Sequence, residues 1–257
     1  MEFIDQIGNK LQLSTYPKRI ISLVPSITEL LFDLGLDEDI VGITQYCILP
    51  AEKVLSRVKV GGVQQLDFQR IMGLKPDLLI GSKEENSREE IGYLQQHYPV
   101  WISNVTTLDD LIDMNQNIGQ VVNRSAAAAR INQEIRTALD TMPAYPGIKV
   151  AYLIWNGPLM VAGGDTFINT MLEFCGFENI FCHLARYPQI TLKDLSDAEV
   201  IFLSSEPYPF SEDDLDFFRA KFPNQKVIPV DGLVFSWYGS HPRNLPAACS
   251  TLRQQFV

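Results

Sequence analysis

Carboxylate and imidazole side chains are the groups in this sequence that can transfer protons or bind metal. Glu84 and Glu85 are neighbours in a Lys-Glu-Glu-Asn-Ser run. They are either paired acid–base carboxylates or, as the alternative, the solvated start of a helix. The three histidines, His97, His183 and His241, lie far apart in the sequence. His183 follows a predicted helix and is the candidate metal ligand, with an ordinary loop histidine as the alternative.

Catalytic motifs are absent from the sequence. There is no Gly-x-Ser-x-Gly elbow, phosphate-binding glycine-lysine loop, Gly-x-Gly-x-x-Gly run or His-Glu-x-x-His pair. The four cysteines show no Cys-x-x-Cys spacing that would bring two thiolates to one zinc ion, and we expect small, buried, reduced residues. They are Cys47, Cys175, Cys182 and Cys249. The sequence therefore predicts a protein that is not an enzyme and has no intrinsic cofactor.

Aromatic and small polar residues follow several predicted strands. Ligands of open α/β sheets bind at the carboxyl ends of the strands, so these loops are the predicted ligand site. The candidates are Pro25, Ser26, Tyr46, Gln64, Lys83, Trp155, Glu206, Tyr208, Phe235, Trp237 and Tyr238. Their composition is typical of a pocket for a large, mostly apolar ligand. A core position is an equal alternative for either tryptophan alone, whereas Phe235, Trp237 and Tyr238 are hard to bury together.

Short apolar runs that alternate with helical segments must position these loops. The predicted strands are 19–25, 40–44, 76–81, 100–102, 149–155, 199–203 and 226–230. The predicted helices are 26–34, opened by a Ser26-x-x-Glu29 capping box, then 67–74, 88–96, 167–175 and 245–256. Asp165 or Thr166 can cap the helix over 167–175. Continuous apolar strands indicate parallel sheets covered on both faces.

The segment Val121–Met142 differs, because Ala127, Ile131, Ile135 and Leu139 are spaced four apart. This spacing predicts one uninterrupted helix of about 20 residues, roughly 30 Å long. Such a helix is either an ordinary packing helix or a rigid connector between two lobes. The predicted fold is α/β, with two Rossmann-like lobes of mainly parallel sheet that the long helix bridges in the second case. The lobes cover 1–120 and 147–257, and the bridging segment covers 121–146.

Composition limits the environment and the partners. The 257 residues are 46% hydrophobic and carry a formal charge of −10, which argues against nucleic acid and anionic membrane surfaces as partners. No apolar run approaches the roughly 20 residues needed to span a bilayer. The start, Met1–Gln6, has an acid where a secretory signal has basic residues. We expect a soluble protein, cytoplasmic as written and periplasmic if a leader was removed.

Three segments, Arg19–Glu29, Leu74–Ile80 and Gly164–Ile180, resemble the helical-backbone (class III) substrate-binding proteins of ABC importers for vitamin B12, haem and iron-siderophores. The resemblance covers nearly the whole chain and is nearest to the cobalamin-binding branch. It implies two α/β lobes joined by a long helix, and capture of a metal-chelate ligand in the cleft between the lobes without chemistry.

The same resemblance ranks the ligands. Family members that bind anionic ferric siderophores hold them with arginine or lysine, and the predicted loops here offer little beyond Lys83, Arg186 and Arg243. A cobalamin-like corrinoid is therefore the first choice. Haem, with His183 or Tyr46 as axial ligand, or a ferric siderophore comes second.

Family members that are coupled to an importer carry one glutamate on each lobe, and each glutamate docks to arginines of the permease. The chain departs from this pattern. These positions correspond to Gln69 and Lys193. Neither residue makes such an ion pair, although Asp67 or Asp194 could substitute. This departure argues against an ABC permease as partner. It leaves a cytoplasmic sensor, or an enzyme using Glu84, Glu85, Glu206 or His183, as alternatives on the same scaffold.

Overall fold

The computed structural model describes residues 1–256, which divide into two compact units. Unit 1 comprises Met1–Val105, Asp109–Ile135 and the short segment Tyr238–His241. Unit 2 comprises Thr106–Leu108, Arg136–Trp237 and the residues from Pro242 to the end of the described chain.

Unit 1 is built on a five-stranded parallel sheet with the order β5-β4-β3-β6-β7. A two-stranded antiparallel hairpin, β1 with β2, precedes it. The strands are β1 (Glu2–Ile4), β2 (Lys10–Gln12), β3 (Ile20–Ser22), β4 (Ile40–Ile43), β5 (Val58–Lys59), β6 (Leu78–Ser82) and β7 (Val100–Ser103). Strand order reverses between β3 and β6, so the loops that follow these two neighbours leave the sheet in opposite directions.

Unit 2 repeats this arrangement with the order β10-β8-β11-β12, all parallel, while β9 pairs antiparallel with β8. Its strands are β8 (Ile148–Trp155), β9 (Met160–Val161), β10 (Phe177–Asn179), β11 (Val200–Ser204) and β12 (Lys226–Val230). Here the order reverses between β8 and β11. Each unit therefore has one topological switch point, the location at which open α/β sheets bind ligands.

Helices flank both sheets. They are α1 (Pro25–Asp33), α2 (Ala51–Val54), α3 (Phe68–Leu74), α4 (Arg88–Gln95), α5 (Leu108–Val121), α6 (Ser125–Asp140), α7 (Phe167–Phe174), α8 (Glu212–Lys221), α9 (Gly232–Ser236) and α10 (Leu245–Arg253). Single 3-10 turns cover Asp37–Asp39, Leu192–Leu195, His241–Asn244 and Gln254–Phe256. None of these described helices combines the length and the apolar character needed to cross a bilayer.

The core of each unit lies against its sheet. In unit 1 the buried cluster contains Ile21 and Leu79 from central strands. In unit 2 it contains Leu153, Ile201 and Phe218. Strands β6 and β11 are buried at every residue. This burial explains why the sequence shows continuous apolar runs, since helices cover both faces of such strands. The predicted parallel α/β architecture is confirmed.

The predicted helix over Val121–Met142 is wrong at its start. Helix α5 ends at Val121, Asn123 adopts a left-handed conformation with φ +56°, and α6 begins only at Ser125. The turn is tight because Gly119 lets α5 pack directly on Ala128 of α6, where a Cβ would collide. Helix α6 thus has 16 residues and follows a separate helix that the alanine-rich spacing did not reveal.

Two further expectations need correction. The capping box at Ser26 and Glu29 does not form, because Pro25 starts α1 and Val24 stands at its N-cap without a side-chain bond. Glu29 instead lies 3.0 Å from His241 Nδ1. Of the four cysteines, Cys182 is exposed and only the other three are buried. At α7 the two candidate caps are resolved in favour of Thr166, whose hydroxyl accepts from the Asn169 N–H.

Candidate functional site

One buried side chain, Asn86, joins three loops at the switch point of unit 1. Its Nδ2 donates to Leu23 O at 3.1 Å and to Val63 O at 2.8 Å, and its Oδ1 accepts from Ser82 N at 2.8 Å. Leu23 and Val63 belong to the segments that follow β3 and β5, Ser82 is the last residue of β6, and Asn86 itself lies in the loop after β6. Gly81 permits the close approach, since a Cβ there would lie 2.8 Å from Asn86 Oδ1. Asn86 therefore fixes the relative positions of these loops.

Three of the predicted contact residues lie on the surface at the carboxyl ends of the unit 1 strands, Gln64 and Lys83 on loops that Asn86 holds and Tyr46 on the loop after β4. Tyr46 is 55% exposed, and Gln64 and Lys83 are also exposed. The Tyr46 ring lies over Gly62, where a Cβ would come within 3.2 Å of Tyr46 Cε2. An exposed aromatic face and two flexible polar side chains therefore lie at the carboxyl ends of the strands in unit 1.

Pro25 and Ser26 are at the same switch point but are buried in the first turn of α1. Ser26 is 2% exposed, and within the described residues its hydroxyl has no hydrogen-bond partner. Their side chains shape the start of the helix rather than form an open contact surface.

Tyr238 belongs to unit 1, where its hydroxyl donates to Glu85 Oε1 at 3.0 Å. Burial raises the pKa of Tyr238 well above its ordinary value, and the nearby Glu85 charge adds to this effect. Hydrogen bonds with Ser82 and Ser103, the last residues of β6 and β7, act in the opposite direction. The neutral phenol therefore anchors the segment Tyr238–His241 to the strand ends.

The switch point of unit 2 presents an aromatic pair, Trp155 and Tyr208. Trp155 ends β8 and is 38% exposed, and Tyr208 follows β11. Their ring centroids are 5.4 Å apart with the planes tilted by 58°. Tyr208 also packs edge-on against Phe210 at 4.9 Å, and Phe210 contacts Phe218 of the core. The aromatic pair is therefore an exposed extension of the unit 2 core.

Asp214, at the start of α8, contacts the loop after β8 and the loop after β11. It accepts hydrogen bonds from Asn156 Nδ2 at 2.7 Å and Tyr208 Oη at 3.4 Å, and it forms a capping box with Ser211. Partial burial by itself raises the pKa of Asp214, but the donors on Ser211, Asn156 and Tyr208 hold it below its ordinary value. Desolvation and the Asp214 charge raise the pKa of Tyr208. At neutral pH, Asp214 is therefore an ionised carboxylate and Tyr208 is a neutral phenol.

Glu206 lies two residues before Tyr208 in the sequence and is held by hydrogen bonds with two serines. Ser236 Oγ donates to Glu206 Oε1, and Ser204 Oγ donates to the Glu206 carbonyl at 2.7 Å. A Cβ at Gly232 would collide with Glu206 Cγ, so only glycine fits there. Glu206 is thus a half-buried, hydrogen-bonded acid.

The expectation that Phe235, Trp237 and Tyr238 are hard to bury together is wrong. Their exposed fractions are 2%, 6% and 3%. Phe235 packs against Tyr152 at 5.4 Å and near Phe202, because α9 places its ring on the core side of the sheet. Burial raises the pKa of Tyr152, whose hydroxyl donates to Ser204 Oγ. Phe235 is therefore a core residue in this structure.

No metal centre forms at His183, which is exposed. Across residues 1–256, no three His, Cys, Asp or Glu side chains converge to hold an ion. His183 as a single axial ligand to haem stays a prediction.

The two positions corresponding to docking glutamates, Gln69 and Lys193, are both exposed. The acids beside them already have structural roles. Asp67 caps α3 through Arg70 N and pairs with Arg70 Nε at 3.0 Å. Asp194 accepts from the backbone and hydroxyl of Thr191, and these bonds lower the pKa of Asp194.

Sequence reasoning missed Asn86 and Asp214. Asn86 lies in a polar run predicted to be a solvated helix start. Asp214 lies in the acidic first turn of α8, a helix that was not predicted. The Ser211-x-x-Asp214 spacing was the available signal for that helix start.

Residues 20–220 match the family model described as "Periplasmic binding protein". The vitamin B12-binding protein of Vibrio parahaemolyticus is 26% identical over 195 residues, which are 73% of this chain and 70% of that protein. The periplasmic vitamin B12 binding protein of Vibrio cholerae superposes with a TM-score of 0.76 at 24% identity, covering 93% of this chain and 96% of that one. The periplasmic haem-binding protein RhuT from Roseiflexus sp. RS-1 gives 0.77 at 20% identity, covering 93% and 97%.

Proposed function

Because the chain belongs to the periplasmic binding protein family, we propose that it is a non-catalytic binding protein for a bulky metal-chelate ligand. A cobalamin-like corrinoid is the first candidate, taken up as cargo in the manner of ABC import. The bound corrinoid is transported and is not a cofactor of the protein.

The partly exposed aromatic pair at the unit 2 switch point is the observation that carries this proposal. Trp155 and Tyr208 offer apolar faces with a polar edge at the carboxyl ends of the strands, which suits a large macrocycle. Tyr46 offers a further exposed ring at the corresponding edge of unit 1. The relative from Vibrio parahaemolyticus, named for vitamin B12, supports the same choice.

Haem is the second candidate. Tyr46 is an exposed tyrosine, and a tyrosine oxygen can ligate haem iron. The structural similarity to RhuT agrees with this choice but concerns the fold alone. A ferric siderophore ranks lower, since Lys83 is the one cation among the predicted contact residues.

The enzyme alternative needs converging acid–base groups. Glu85 is bonded to Tyr238, Glu206 is bonded to Ser236, and His183 is exposed. These contacts support binding in preference to chemistry.

We propose the periplasm, the compartment in the family description, as the place where the protein works. The sequence as written indicates the cytoplasm, or the periplasm if a leader was removed. Cell fractionation against a periplasmic marker tests the location. A permease partner would have to contact Gln69 and Lys193 without the ion pairs of other family members.

Thermal unfolding with added ligands tests the function. A ligand present at 100 times its Kd stabilises the folded chain by about 2.7 kcal/mol, which raises the Tm by roughly 5–10 °C. We expect this shift with cyanocobalamin and with cobinamide, which share the corrin ring, and a smaller shift with hemin. A shift with hemin alone would favour the second candidate. No shift with a corrinoid, hemin or a ferric siderophore would contradict the proposal.

A further inference from the structure

We propose that Asp214 is a positioning residue whose carboxylate sets the geometry of the aromatic pair and thereby the affinity of unit 2 for a bulky ring ligand. The inference rests on the proposed function, because the ligand is assumed to contact Trp155 and Tyr208. Asp214 bonds to Tyr208 and to the residue after Trp155, and it acts through these contacts.

The contacts of Asp214 join three separate segments of unit 2. Oδ1 accepts from Asn156 Nδ2 at 2.7 Å in the loop after β8. Oδ2 accepts from Ser211 N at 2.8 Å and from Ser211 Oγ at 2.9 Å at the start of α8. The same oxygen lies 3.4 Å from Tyr208 Oη in the loop after β11. One side chain thus connects both loops of the switch point to a helix.

These contacts exceed what a helix cap requires. A capping box needs only the reciprocal bonds between Ser211 and Asp214. The bond to Asn156, the residue after Trp155, adds nothing to the cap but fixes the backbone that carries the indole. The contact to Tyr208 fixes the polar end of the second ring, whose other side rests on Phe210. Both members of the pair are therefore anchored through Asp214.

The charge of Asp214 matters because every partner is a donor. An ionised carboxylate is acceptor-only and satisfies all of these donors with two oxygens. An asparagine of the same shape has an NH2 group in place of one oxygen, so either Ser211 loses its acceptor or Asn156 must turn its own amide over to keep a bond. Asp214→Asn is therefore an almost isosteric change that removes the charge and weakens the hold on the loops.

The experiment compares Asp214→Asn with Asp213→Asn, which removes the same charge from the same helix turn at an exposed position. Isothermal titration with cyanocobalamin measures the Kd of each variant. We expect about a ten-fold higher Kd for Asp214→Asn and less than a two-fold change for Asp213→Asn. Asn156→Ala, which leaves the cap intact, should weaken binding in the same way as Asp214→Asn.

A second measurement needs no ligand. Of the three tryptophans, Trp101 and Trp237 are buried, so iodide quenching of indole emission reports mainly Trp155. We expect more efficient quenching in Asp214→Asn and in Asn156→Ala than in the unchanged protein. In a Trp155→Phe background this difference should vanish.

The outcomes separate the two proposals. If the unchanged chain does not bind cyanocobalamin while Asp214→Asn still releases Trp155, the positioning role stands and the corrinoid proposal fails. If Asp214→Asn lowers the Tm but Asn156→Ala changes neither quenching nor Kd, Asp214 only caps α8 and the inference is overturned. Equal Kd values for Asp214→Asn and Asp213→Asn overturn it as well.

Discussion

In each unit one side chain joins the loops at the switch point, but the two side chains differ in chemical type. In unit 1 the loops after β3 and β6 are joined by Asn86, a neutral side chain that is 7% exposed and bonds only to backbone groups. In unit 2 the loops after β8 and β11 are joined by Asp214, a half-buried carboxylate that bonds largely to side chains. The same topology therefore uses an amide in one unit and a charge in the other.

The difference follows from burial. A charged side chain at the position of Asn86 would lose its hydration, and three backbone contacts cannot offset that free-energy cost. A neutral amide matches the one donor and two acceptors there without this cost. Asp214 keeps contact with water and can remain ionised. Asn86 thus contributes mainly to folding stability, and Asp214 mainly to the arrangement of the exposed Trp155 ring and the half-buried Tyr208 ring.

The largest expected effect is on stability. Asn86→Ala leaves Ser82 N, Leu23 O and Val63 O without their partner, which should lower the free energy of unfolding by about 2–4 kcal/mol. Asp214→Asn should lower it by about 1 kcal/mol or less, because its contacts are partly solvated. Urea unfolding of both variants measures the two values.

The control for that comparison is Asn117→Ala, at a half-buried asparagine on α5, with an expected change of about 0.5 kcal/mol or less. Similar losses at Asn86 and Asp214 would mean that the two side chains have the same role. The comparison between the units would then be wrong.

Ligand affinity should change most at unit 2. Trp155→Ala removes an aromatic face that is held by Tyr208, and we expect roughly a 30-fold higher Kd for cyanocobalamin, about 2 kcal/mol. Tyr46→Ala removes a single ring that lies over Gly62, and about a 5-fold increase is expected. Isothermal titration checks both values.

Tyr93→Ala is the control, because this ring on α4 is 43% exposed, between the values of Trp155 and Tyr46. Its ring contacts are Phe68 and His97. Its Kd should stay within a factor of two. If Tyr46→Ala raised the Kd for cyanocobalamin more than Trp155→Ala, unit 1 would contribute more to affinity than unit 2, contrary to expectation. The same result with hemin would indicate a Tyr46–iron bond.

The smallest effect is a response of unit 2 to acid. Hydrogen bonds lower the pKa of Asp214, so its contribution is complete above the ordinary carboxyl pKa of about 4 and is lost as pH falls through the lower native value. Iodide quenching of Trp155 should therefore rise below about pH 4. Asn86 does not titrate and contributes no such step.

In Asp214→Asn, quenching should already be high at pH 6 and should change little on acidification. An unchanged acid response in this variant would assign the response to other carboxylates. The charge-based distinction between the two units would then have no support.

Much of the fold could be predicted because its signals are local. The seven predicted strands all form, with ends that shift by a few residues, since each is a continuous apolar run. The start of α6 was missed because Ala126 and Ala127 suit a helix wherever it begins, and the end of α5 depends on the contact between Gly119 and Ala128. The capping box at Ser26 failed because α1 begins one residue earlier, at Pro25, and Glu29 instead meets His241, more than 200 positions away.

The candidate site could be predicted in part, for a similar reason. Tyr46 and Tyr208 follow predicted strands and Trp155 ends one, so the rule for strand ends places them correctly at the carboxyl ends of the strands. Phe235 obeys the same rule but turns into the core, because α9 continues directly after β12. The position of a residue relative to a strand shows that it lies at the carboxyl end of the sheet. The direction of the helix that follows the strand decides whether its ring is exposed.

The sequence by itself determined the α/β class, the acidic character, the family resemblance and the loops that carry aromatic rings. These properties depend on composition and on periodicity within about ten residues. Only the tertiary structure decided that Asn86 and Asp214 hold those loops and that Phe235 and Tyr238 are buried. Each of these roles depends on hydrogen bonds or packing between segments distant in sequence, and parallel strands bring such segments together only after the sheet has formed.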